Sequence, residues 1–167
     1  MTRSGSIVYY LAAVVCGCLF MSLALLAVSE APLRSAGGGY GDLFLLYFLS
    51  VVNGWFTALV FAFLLRRMTS LLRLRQGWLW ILAGAAISPL VVWVLAESWP
   101  RIMRSIPLGW PGLMVALSSM FLGPVMALAL PGNLGRAVLG AGMAGAATAL
   151  VLYAIHRAFA RPAETNS

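Results

Sequence analysis

The side chains able to carry protons, bind metals or act as nucleophiles are few in this chain, and their spacing keeps them apart. The acids are Glu30, Asp42, Glu97 and Glu164, the one histidine is His156, and the two cysteines are Cys16 and Cys18. A metal-dependent hydrolase needs a cluster of His, Glu or Asp ligands, whereas these acids fall in the breaks between apolar runs or in the tail. A serine nucleophile needs a base facing it. Ser88, Ser118 and Ser119 lie inside apolar runs, but His156 closes a different run and reads as a cap on its last turn. Cys16 and Cys18, two apart on a helix, point about 200° away from each other, so they cannot pair and read as small apolar residues. Gly140, Gly142 and Gly145 reproduce the GxGxxG spacing of a dinucleotide-binding turn. That motif works only between a strand and a helix, where the glycines let a pyrophosphate approach a helix amino terminus. Here it lies within an apolar helical run, so the glycines are expected to serve helix packing. These residues predict a protein that is not an enzyme and has no metal and no cofactor.

The elements that must position these residues are set by composition. Of 167 residues 62% are hydrophobic and 9% charged, and the net charge of +7 comes from arginine alone, because the chain has no lysine. One soluble core cannot hide that much apolar surface, so lipid is the expected solvent. The arginines flank apolar runs, as membrane topology requires, which argues against nucleic acid as a partner. The chain is expected to be all-α, a single integral membrane domain of five spans at about 7–28, 43–65, 78–96, 113–130 and 137–155, with a short flexible tail at 162–167. The first run is longer than the apolar core of a signal peptide and is expected to be retained. Between the third and fourth spans, Ser98 and Pro100 suggest the start of a short interfacial helix near 99–106.

The second span carries the strongest signals. No charge interrupts Leu43–Leu65, and Arg66, Arg67, Arg73 and Arg75 follow, a cluster that holds its end in the cytoplasm and meets anionic lipid headgroups. Within the span Tyr47, Ser50, Asn53 and Thr57 recur at helical spacing and define a polar face that should point into the bundle. Ser88 and Ser119, in the third and fourth spans, join the same candidate polar set. Trp78 and Trp80, with Trp93 and Trp99, read as the two aromatic belts of the third span.

Small residues supply the second pattern. Gly123 in the fourth span and Gly140, Gly142 and Gly145 in the fifth are the expected helix-packing positions, and the fifth span is expected to be the packing hub. Ser88-Pro89 and Gly123-Pro124 interrupt two consecutive spans at matching depth, a pattern that transporters use to build midplane sites. Five crossings put the amino terminus in the cytoplasm and the carboxyl terminus outside. These features predict a small bacterial inner-membrane protein working as a membrane subunit, scaffold or accessory component, with a homo-oligomer or a membrane-protein partner. The alternative is a small oligomeric permease or channel with its site near the two kinks.

Overall fold

The computed structural model describes residues 3–28, 40–105, 123–125, 127–129 and 133–160. Among them the chain is all-helical: α1 is Arg3–Val28, α2 Tyr40–Leu71, α3 Gly77–Ser105 and α4 Leu134–Ala160. Residues 123–125 and 127–129 are helical too. Each long helix contains an apolar stretch of 24 to 26 residues, long enough to cross a membrane. At about 1.5 Å per residue such a stretch spans roughly 36–39 Å, more than a hydrocarbon core of about 30 Å. The chain is therefore a multi-pass membrane protein by length and composition of its helices.

Local chemistry explains the helix ends. Asn133 caps α4: its Oδ1 accepts from the Gly135 amide at 2.8 Å and its carbonyl accepts from the Ala137 amide at 3.0 Å. This cap starts the helix before Ala137, the residue expected from hydropathy. At the end of α2 the Leu74 amide donates to the Thr69 carbonyl at 3.0 Å and the Arg73 amide to the Ser70 carbonyl at 3.4 Å. Those two bonds form a Schellman ending, and Arg73 occupies its left-handed position with φ of 49°. Glycine takes that conformation without the Cβ clash that costs other residues about 1–2 kcal/mol. Arg73→Gly is therefore expected to raise stability by about 1 kcal/mol, read as a higher midpoint in a detergent denaturation series.

Two expectations about α3 need correction. The interfacial helix near 99–106 is not a separate element, because α3 continues through Pro89 and Pro100 as far as Ser105. Ser98 does not cap a new helix. Its hydroxyl donates to the Val94 carbonyl at 2.6 Å, one turn back in the same helix. Each proline removes one backbone bond, to the carbonyl four residues back, which membrane helices tolerate. Near the end of α3 the Arg104 Nε–H also donates to the Pro100 carbonyl at 3.1 Å. Trp80 does not stand in an aromatic belt either. It is buried, with its indole N–H donating to the Leu74 carbonyl at 3.1 Å, while Trp78 is exposed.

The four long helices alternate in direction. Along α1 and α2, Arg66 donates to Ser6 at 3.3 Å at one end and the Ser22 and Ser50 hydroxyls meet at 2.9 Å nearer the other. Along α3 and α4, the Trp80 ring lies 5.7 Å from that of Tyr153, while Gly142 faces Ala85 and Pro89. Gly17 faces Thr148 and Val28 faces Gly140, so α1 and α4 are antiparallel as well. The most extensive pairings join α4 to α3 and to α1. The helix expected to be the hub thus packs between two others.

This arrangement bears on the count of five spans. The first turns of α1, the α2–α3 turn and the last turns of α4 share one end of the bundle, where the Tyr153 hydroxyl donates to the Arg75 carbonyl at 3.4 Å. α3 finishes and α4 begins at the opposite end, and among the described residues four helices are long and apolar enough to cross a membrane. Most of the expected span 113–130 and the tail 162–167 lie outside the described residues. The described part of that span enters the bundle: Ala127 joins Leu25, Val92 and Ala141 in one buried cluster. At the other end Tyr9, Leu65, Trp80 and Leu152 fill the interior.

Candidate functional site

Half-way along the bundle, between these two packed layers, lies a cavity of about 80 Å³. It is walled by Gly17 and Cys18 of α1, Ser50, Asn53 and Thr57 of α2, Ser88 of α3, Gly145 and Thr148 of α4, and Gly123 and Pro124. Met21, Leu25, Phe61 and Val92 complete much of the apolar wall.

Glycine lets the backbones converge around it. A Cβ on Gly145 would strike the Gly84 carbonyl oxygen and the Ser88 Cβ, and one on Gly84 would strike the Gly145 carbonyl oxygen and the Ala149 Cβ. The α3 and α4 backbones are thus in contact. Gly123 approaches α2 in the same way: its Cβ would strike the Asn53 carbonyl oxygen and lie 3.1 Å from the Gly54 Cα. Gly140 has less contact, with Val28 Cγ2 at 3.1 Å from such a Cβ, and Gly142 less again, with the Ala85 carbonyl oxygen at 3.4 Å.

Most polar groups at this level are satisfied by their own helix. The Thr148 hydroxyl donates to the Ala144 carbonyl at 2.7 Å, the Asn53 Nδ2 donates to the Leu49 carbonyl at 2.9 Å, and the Ser22 hydroxyl donates to the Cys18 carbonyl at 2.8 Å. Each reaches back one helical turn, the pattern that hides a polar side chain in an apolar setting. Thr57 departs from it. Among the described residues its Oγ1 is the one buried side-chain oxygen or nitrogen without a hydrogen-bond partner.

The structure therefore brings together Ser50, Asn53, Thr57 and Ser88 from the polar set read in the sequence. Tyr47 is half-buried and outside the cavity wall, and Ser119 lies outside the described residues. Asn53 is buried, but its amide bonds within α2. The hydrogen bond that joins α1 to α2 here is Ser22–Ser50. Gly17, Ser22, Gly84 and Thr148 were not among the candidates. Gly84 had a signal, the Ala83–Ala86 run of small residues, whereas nothing in the sequence marks Thr148 apart from any helical threonine. Of the arginines, Arg67, Arg73 and Arg75 are exposed. Arg66 is half-buried, its guanidinium 5.9 and 5.8 Å from the ring centres of Tyr9 and Tyr10. His156 packs against Trp80 at 5.3 Å between ring centres, away from Ser88 and the cavity. Gly140, Gly142 and Gly145 fall inside α4, with no strand ahead of them among the described residues. No known protein family, characterised protein or solved structure is detectably similar to this chain.

Proposed function

We propose that this multi-pass membrane protein admits a small uncharged molecule to the mid-bundle cavity and acts as a small permease. The cavity carries this reading. It lies where Ser88 of α3 and Gly123-Pro124 face α2, and its described wall holds hydroxyls and one carboxamide but no carboxylate, imidazole or guanidinium. An ion at that depth would need a charged partner, so the wall suits a neutral solute. A cavity of about 150 Å³ holds benzene, and one of about half that volume suits a molecule of a few heavy atoms.

Assembly as a subunit or scaffold, without catalysis, is the second reading. The small residues expected to drive it, Gly140 and Gly145, are in contact within the chain. A partner would instead meet the outward stripe of Phe44, Phe48 and Val52 on α2, all exposed. We place the protein in a bacterial inner membrane, with the exposed arginines of the α2–α3 turn among anionic headgroups.

Reconstituted vesicles test the permease reading. They are expected to re-swell faster than empty vesicles after an osmotic step with a small neutral solute carrying one polar group, such as acetamide. Asn53→Leu, which keeps the bulk and removes the carboxamide, is expected to slow that flux severalfold. Equal rates for protein-containing and empty vesicles would rule out permeation.

A further inference from the structure

We infer that the molecule taken into the cavity has an apolar body and a single hydrogen-bonding group, and that Thr57 recognises that group. This rests on the reading of the cavity as a solute site. The wall is mostly apolar, with Met21, Leu25, Phe61 and Val92 facing the same space as the polar side chains. A solute with many polar groups would leave most of them without partners, and each would lose its hydration on entry. Of the polar side chains around the site, Ser22, Asn53 and Thr148 already donate to carbonyls of their own helices.

Thr57 is different because its hydroxyl has no partner although its oxygen is buried. A threonine in a helix normally turns its hydroxyl to a carbonyl three or four residues back. The carbonyl four residues before Thr57 belongs to Asn53, the group against which Gly123 is pressed. Thr57 is itself only half-buried and lines the cavity, so part of the side chain faces that space. Threonine populates two χ1 rotamers in helices, and turning from one to the other points the hydroxyl in a new direction. The turn presents the hydroxyl to a solute group and removes an unsatisfied buried donor. A site of this kind discriminates well, because an analogue lacking the polar group leaves the hydroxyl unpaired again. Short alcohols have the required body and single polar group.

The test compares 1-propanol with xenon on the full-length protein in detergent, xenon being read by its NMR shift and propanol by displacement of xenon. Wild type is expected to bind both. Thr57→Val keeps the side-chain shape and is expected to bind xenon unchanged while losing about threefold to tenfold in propanol affinity, the range for one hydrogen bond. Thr57→Ser is expected to retain propanol binding. If Thr57→Val binds propanol as tightly as wild type, the inference about Thr57 fails and the cavity remains a solute site. If wild type binds neither probe while its thermal unfolding remains cooperative, the cavity is no solute site and both proposals fall.

Discussion

Gly145→Ala is expected to destabilise the bundle, although alanine is the better helix former by up to about 1 kcal/mol. The added methyl would land on the Gly84 carbonyl oxygen and the Ser88 Cβ. A backbone oxygen cannot swing aside as a long side chain can, so α3 and α4 must separate along their whole contact. Overpacking of this kind typically costs about 1–3 kcal/mol. Gly145→Leu should reach or pass the upper end, and Gly84→Ala should behave as Gly145→Ala does. Gly142 is the control. A Cβ there meets the Ala85 carbonyl oxygen at 3.4 Å and Pro89 Cγ at 4.0 Å, ordinary contact distances. Gly142→Ala should therefore be neutral or gain up to about 1 kcal/mol from helix propensity. Unfolding in mixed detergent micelles, followed by helical circular dichroism, measures the sign of each change. Equal effects at 142 and 145 would mean that α3 and α4 do not touch through their backbones.

Both chain ends are expected on the cytoplasmic face, a departure from the opposite faces that five crossings implied. The geometry puts the start of α1, the α2–α3 turn and the end of α4 together, and it sharpens the charge count. Among the described side chains, Arg66, Arg67, Arg73, Arg75 and Arg157 belong to that end, while Arg101, Arg104 and Arg136 belong to the other. Under the positive-inside rule the richer end stays in the cytoplasm. Single cysteines can report this in a background carrying Cys16→Ala and Cys18→Ala. A membrane-impermeant maleimide added to intact cells is expected to label Arg104→Cys and to miss both Ser70→Cys and Ala158→Cys. External labelling of one of the latter pair but not the other would restore an odd number of crossings. Labelling of both would keep the even number and invert the protein.

Solvent preference and helix length were legible in the sequence because they are properties of local stretches. A long uninterrupted apolar run must satisfy its own backbone hydrogen bonds in lipid, and a helix does so without help from any neighbour. Hence α1 and the apolar part of α2 lie where hydropathy put them. The polar face of α2 was legible for a related reason: three or four residues per turn place Ser50, Asn53 and Thr57 on one side whatever surrounds them.

Direction and pairing were not legible, because apolar side chains look alike whether they meet lipid or another helix. Hydropathy separates the runs, but it does not say that the end of α3 and the start of α4 lie at one end of the bundle. Only the partners of α4 reveal that. The same holds for individual residues. Gly142 and Gly145 are one motif in the sequence, but their places on the α4 surface differ, and only Gly145 meets a second glycine on α3. Thr148 and Thr57 are likewise equivalent on paper. One hydroxyl reaches its own helix, and the other, beside the carbonyl that Gly123 covers, is left without a partner at the wall of the cavity.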